Sequence, residues 1–402
     1  MKALKIFATV ILSIVLFLSL FVYGVVFNLK MTVLNPNFVA TAVTKMPLSE
    51  IILDTPAYEV DIPPELMDSL NKMVVAIEPQ FKEETGNAIR AVYAYLLGEK
   101  DDAELAVTLR GTLLSDAFVY AMVDNLDMAM PLAAMIKEKL ESEDVPVALE
   151  PLQERVDPIL IEAEPRLKTQ LKAAVPSIID YVLGITDAFS ASFNLDTVVE
   201  DIKTAAKEIL RENPDFAGAS DAQLDAYIED NLTPYIEEIN KQFTIDQTTL
   251  GSEVQLTASL QGAEDFLAQV RPYVLQFQTY SVWFIVFIVV IAGCIVALNL
   301  SVRKAARAVG SVLLAYGIIG FIPLLIVRLV FQQALYQEML ADVSASSYLE
   351  TYARQVISDF ISPLWWFNLG CLIAGIVLLV ISFVYHPAKP AAPLVTGLTV
   401  TE

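Results

Sequence analysis

The sequence predicts a mainly α-helical membrane protein: four transmembrane helices plus a large, mostly helical domain carried outside the membrane, with a small two-stranded sheet in that domain. Three observations lead there. The 402 residues are 55% hydrophobic with a mean hydropathy of +0.54, yet carry 48 acidic against 26 basic side chains; such opposed properties belong to different parts of a chain. Residues 6–29, 281–300, 309–330 and 364–385 each satisfy the need for about 20 apolar residues in a span. Residues 31–280 hold 43 of the acidic and 17 of the basic residues, and most of residues 60–250 reads as helix, with apolar positions three or four apart.

The domain boundaries follow. Residues 1–30 are a cytoplasmic end and a transmembrane signal anchor; 31–280 form an acidic extracytoplasmic domain. Residues 281–330 carry the second and third spans with a short cytoplasmic link at 301–308. An amphipathic extracytoplasmic loop at 331–363, the fourth span at 364–385 and a cytoplasmic tail at 386–402 complete the chain. Lys2 and Lys5, then Arg303, Lys304 and Arg307, then Lys389 mark the cytoplasmic side by the excess of basic residues found there. Both termini are therefore expected inside, in the cytoplasmic membrane of a bacterium or archaeon. The first apolar run exceeds the 7–15 residues of a cleaved signal's core, and no small-residue cleavage pattern follows it. Cys294 and Cys371 both fall in spans, so the outer domain is expected to be held by core packing without disulfides.

Several local features are legible. Pro63 and Pro64 can open a helix through Leu66, Leu70 and Val74; Ser220 with Gln223 forms a capping box before Leu224 and Ile228. Asp196 caps a helix with Val199, Ile202 and Ile209 on one face and Lys203 and Lys207 on the other. Prolines at 146, 151, 158, 165 and 176 predict short helical pieces, since an interior proline removes a backbone bond. LAVTLRG at 105–111 and LTASLQG at 256–262 alternate apolar and polar residues, a strand signal; strands near 104–110 and 254–260 are expected to pair. In the spans, Gly293, Gly310, Gly317, Gly320, Gly370, Ala374 and Gly375 permit close helix packing. Two amphipathic pieces are expected in the outer loop, at 334–343 and 348–361.

Chemistry is constrained by inventory. The single histidine, His386, lies in the tail, and neither His nor Cys occurs in the outer domain. Histidine-based nucleophilic catalysis and zinc binding there are thereby excluded. Catalytic and cofactor-binding residues are read as none, and no cofactor is implied. Asp221, Asp225 and Glu229, at i, i+4 and i+8, form a row of like charge that calls for a positive partner; they are the carboxylate candidates for a hard cation, beside a second cluster at Asp101, Asp102 and Glu104. Arg328 is the one ionisable residue inside a span, which disfavours coupled transport. A transport role would need a water-accessible path between the spans lined by Asn368, Ser311 or Tyr316. The strong negative charge outside repels nucleic acid, leaving the lipid bilayer and a protein partner or second copy as the expected partners.

Thr32-Val33-Leu34, Phe38-Val39-Ala40-Thr41, Leu97-Gly98-Glu99 and SVRKAARAVG at 301–310, with one span before and three after a helical domain, resemble a group of uncharacterised bacterial integral membrane proteins. That resemblance implies the layout and no activity. The layout also resembles the permease halves of mechanotransmission ABC exporters, which implies a transport-associated subunit as the alternative to a non-enzymatic, membrane-anchored binding, sensing or scaffold protein.

Overall fold

The computed structural model describes residues 2–46, 64–141, 146–192, 194–236, 244–246, 255–299, 301–330 and 347–384. In chain order the helices are α1 (Lys2–Met31), α2 (Pro36–Thr44), α3 (Pro64–Leu96), α4 (Leu105–Arg110), α5 (Asp116–Asn125), α6 (Ala129–Leu140), α7 (Leu152–Val182), α8 (Asp196–Glu212), α9 (Asp221–Asn231), α10 (Thr257–Asn299), α11 (Val302–Val330) and α12 (Ser347–Val384). Two short strands, β1 (Ser190–Ser192) and β2 (Thr244–Asp246), pair antiparallel with Ala191 opposite Ile245. The chain divides into a unit built on the apolar spans (Met1–Asn35, Gln276–Ala345, Ala353–Glu402) and a helical unit (Pro36–Leu275, Ser346–Tyr352).

Among the described residues four helices are long and apolar enough to cross a membrane: Leu4–Met31, Thr257–Asn299, Val302–Ile326 and Thr351–Val384. Each contains an 18-residue window of high mean hydropathy, 2.3–2.9, with at most two charged residues, as an element meeting hydrocarbon needs. The glycines expected to bring spans together divide into two groups. A methyl at Gly317 would stand 2.7 Å from the backbone of Leu372, and one at Gly310 would stand 2.9 Å from Leu378 Cβ. Gly320 and Gly375 are equally tight against Asn368 and Leu314, so α11 and α12 meet along a seam only glycine can line. Gly293 and Gly370 face open space and Ala374 is exposed, which corrects the expectation for those three.

In the helical unit the largest apolar cluster is formed by α6, α7, α8 and α9, with Leu149, Leu152, Val156 and Leu210 fully buried. Smaller clusters join α3 to α5 and α5 to the C-terminal half of α7. The bent pair Asp116–Asn125 and Ala129–Glu138, 53° at its break, is apolar enough to span by composition. One face of the pair is instead buried in these clusters: Phe118, Val123, Ala133 and Ile136 are each at most 5% exposed. Its break is fixed by Ser69, whose hydroxyl donates to Asp127 O and accepts from Asp127 N–H, both at 2.8 Å.

Two sequence expectations are overturned. Residues 152–182 are one 31-residue helix despite Pro158, Pro165 and Pro176. Spacings of seven and eleven place all three prolines within about 20° on one helix face, and none of them is buried. The carbonyls they orphan can be hydrated there. The strands expected near 104–110 and 254–260 are helices α4 and the start of α10, with Val254 outside the described residues. The burial pattern shows why: Leu105 is buried and Leu109 half-buried, four apart, while Val107 between them is 61% exposed. A strand would have put all three on one face. The two segments do meet, as helices: Glu264 accepts from the Leu105 N–H at 2.6 Å, and Leu109 and Leu260 pack on one cluster. The short strand pairing lies elsewhere, between β1 and β2.

Of the outer-loop pieces, 348–361 is the opening of α12 rather than a separate element, whereas 334–343 and His386 lie outside the described residues. The capping box at Ser220 and Gln223 is present. Asp196 occupies the first helical position of α8 rather than its cap, which is Leu195, and its N–H donates to Asn194 Oδ1 at 2.7 Å.

Two helix ends depend on glycine. Gly98 and Gly184, following α3 and α7, have φ of +82° and +69°, the left-handed conformation that closes a helix. A methyl at Gly184 would overlap the Thr257 hydroxyl, and one at Gly98 would stand 2.9 Å from Leu275. Gly184→Ala is expected to lower stability by at least about 1–2 kcal/mol from the backbone conformation alone, with a further loss from the overlap. Thr257→Ala should recover only the second part, measured by thermal or denaturant unfolding of the full chain in detergent.

Candidate functional site

Asp221, Asp225 and Glu229 stand on one face of α9, and the positive partner their spacing calls for is supplied by α8. Arg211 Nη2 lies 2.7 Å from Asp221 Oδ1, Lys207 Nζ 2.6 Å from Asp225 Oδ1, and Lys203 Nζ 3.3 Å from Glu229 Oε2. Lys207 also approaches Asp221 Oδ2 at 4.0 Å. The acidic row ascends as the basic row descends, so the two helices run antiparallel. The Arg211 hydrogen bond, then its charge and that of Lys207, hold the Asp221 carboxyl below its ordinary range. Glu229 is likewise lowered, first by the Thr233 hydroxyl and then by Lys203. The carboxylates are thus engaged by side chains of the neighbouring helix, and among the described residues no group of three His, Cys, Asp or Glu is placed to hold a metal ion. The second cluster, Asp101, Asp102 and Glu104, lies at the α3–α4 turn, where Arg271 donates to the Lys100 and Asp101 carbonyls at 2.7 and 2.8 Å and stacks on the Tyr95 ring.

Arg110 is a polar junction that alternation disguised as the outer face of a strand. Its Nε donates to Asp180 Oδ1 at 2.9 Å, and its Nη1 lies 2.7 Å from Asp116 Oδ1 and donates to Leu114 O at 3.1 Å. The hydrogen bond to Asp116 is the largest of the effects holding this guanidinium charged above its ordinary range. One side chain therefore ties α4 to the start of α5 and the end of α7. Its donors serve the fold, and a sequence pattern of period two contains no sign of them.

The polar groups of the spans do not line one path. Tyr316 and Asn368 are buried, at 3% and 2% exposure, Tyr316 against Gly24 and Asn368 against Gly320. Among the described residues Asn368 Oδ1 has no hydrogen-bond partner. Ser311 points elsewhere, into an open groove between α1 and α11 with Thr9 and Ser13. For Arg328 only the backbone is described, within α11.

An apolar surface of the helical unit does stand open. On the 257–275 stretch of α10, Leu260 and Val274 turn inward, while Phe266 and Tyr273, one heptad apart and so on one face, are 64% and 73% exposed. No atom approaches within 4 Å of a methyl placed at Gly262, a turn before Phe266.

The α8–α9 charge rows have a pH signature. Because Asp221 and Glu229 are depressed in the folded state, their contribution is complete above the unfolded carboxylate range, about pH 4, and is lost as pH falls through their lower folded values. Asp221→Asn with Glu229→Gln should flatten the stability profile below about pH 4, and the difference from the parent should shrink at about 1 M salt; melting temperatures across pH check both. Comparison with family models, with curated proteins and with solved structures returned no match, so the layout resemblance gains no family from them.

Proposed function

We propose that this chain is a non-enzymatic scaffold of the cytoplasmic membrane, with both termini in the cytoplasm and residues 31–280 displayed outside, and that the Phe266–Tyr273 face receives a protein partner. The observation that carries this reading is the exposure of two aromatic side chains, 64% and 73%, on the water side of a helix whose other face is packed. Each such ring can bury about 150–250 Å², against roughly 800 Å² on each side of a standard interface. Two rings are an anchor at the centre of a contact rather than the whole of it, the place where binding energy concentrates. The engagement of Arg110 and of the α8–α9 charges inside the unit supports a rigid display surface over a reactive one. The transport-associated alternative draws on Asn368, a buried amide in a span whose oxygen has no hydrogen-bond partner among the described residues. The separation of that side chain from Ser311 weighs against it.

Photo-crosslinking residues placed at 266 and 273 in cells should give one adduct of the same mass at both positions, and none at Val75, an exposed apolar control at 53%. Tyr273→Ser should abolish the adduct at 266 while leaving the melting temperature unchanged. Adducts at all three positions, or at none, would reject the scaffold face.

A further inference from the structure

A groove of about 330 Å³ runs between α1 and α11, lined by Thr9, Ser13 and Ile14 on one side and Ser311, Val312 and Ala315 on the other. Its wall is mainly apolar, and it opens to the outside of its unit. The groove spans about 14 Å of helix from Thr9 to Leu18, in segments that meet bilayer hydrocarbon. Its three hydroxyl side chains are gathered at one end. Two already bond to their own helices, Thr9 to Lys5 O at 2.9 Å and Ser311 to Ala308 O at 2.9 Å, so they cost little to leave in an apolar setting.

Charge distinguishes that end from the other. Lys304 lies two turns before Ser311 on the groove face of α11, and Lys5 lies one turn before Thr9, about 40° outside that edge of the groove on α1, from where its long side chain can reach the groove's end. As the first and third of four alternating spans, α1 and α11 run in the same direction, so both lysines fall at the same end of the groove. Lys304 and Arg303 are exposed and Lys5 half-exposed. Arg307 turns aside, its guanidinium over the Phe383 ring of α12 at 5.3 Å. No Asp or Glu occurs in residues 1–46 or 281–330, so nothing on these two helices neutralises that end.

We propose that the α1–α11 groove is a binding site for one anionic phospholipid, an acyl chain lying along Ile14 and Ala315 and the phosphate headgroup held by Lys5 and Lys304. An apolar trough ending in uncompensated ammonium groups at membrane-surface depth complements that molecule and discriminates against a headgroup of zero net charge. A free anion would leave the trough unused, and the helix of a second chain would leave the lysines unpaired.

The test uses the full chain, purified in detergent and exposed to equal amounts of phosphatidylglycerol and phosphatidylcholine, with retained lipid counted by native mass spectrometry. One phosphatidylglycerol per chain should be kept in preference to phosphatidylcholine by roughly tenfold or more, the scale two near-surface basic side chains supply. Lys5→Gln with Lys304→Gln, both at accessible positions, should abolish the preference while some lipid of either kind remains bound. Ala315→Phe, which fills the trough, should remove the bound lipid itself. Equal retention of the two lipids by the parent chain, an unaltered preference in the lysine variant, or a disulfide-linked dimer formed through Ile14→Cys in native membranes would each overturn the assignment.

Discussion

A helix carrying three interior prolines holds together only if what it loses on one side is outweighed on the other, and Leu152–Val182 meets that condition by strict segregation. Its prolines occupy one accessible face, where water can satisfy the carbonyls freed four residues before each of them. Its opposite face buries Leu152, Val156, Leu160, Ala163 and Leu167, each at most 3% exposed, in the cluster shared with α6, α8 and α9. Fully burying one such large side chain is worth about 1.5–3 kcal/mol, so several together exceed the roughly 3 kcal/mol that one unfavourably placed proline costs. The helices α5, α6 and α8 and strand β1 all pack on this one element. The helical unit is in that sense a set of layers applied to a single long helix.

What sequence alone could reveal depended on whether the governing physics was local. Span length and apolarity are properties of a continuous segment, and the four spans emerge from them directly. The capping box at Ser220 and Gln223 is likewise a contact between residues three apart. The prolines of α7 and the alternation of LAVTLRG are different, because in each the decisive fact is which face is buried. Leu105 and Leu109 satisfy both a period of two and a spacing of four; only the exposure of Val107 separates the readings, and that exposure is set by α7 and α10, distant in sequence. Arg110 was hidden for the same reason, since Asp180 lies 70 residues away. The row of Asp221, Asp225 and Glu229 posed a correct question about a positive partner, and the answer, Lys203, Lys207 and Arg211, was already visible as the polar face of the preceding helix. Nothing local could say that those two faces meet.

In the span unit the work is divided between the smallest side chains and a few polar ones. Gly310, Gly317, Gly320 and Gly375 bring two helix backbones to a separation that a single methyl would prevent. In hydrocarbon such contact is a main source of helix association, because burying apolar surface gains little there. Tyr316 is set in the same packing, its ring against Phe17 and Phe367 at 6.1 and 6.0 Å. Asn368 is held where its amide adjoins Gly320, so the closest approach of α11 and α12 also encloses the most polar buried side chain of α12.

Gly98 and Gly184 end different helices, 86 residues apart in the chain, yet the side chains they abut, Leu275 and Thr257, are the two ends of one stretch of α10. About 27 Å of helix lies between those contacts, with Glu264 and Arg271 bonded to the α3–α4 connection in between. The stretch is therefore held like a shaft in two bearings, each with no clearance. A side chain added at one bearing would leave the other seated, so the stretch would pivot, and the displacement would be largest at the end farthest from the change.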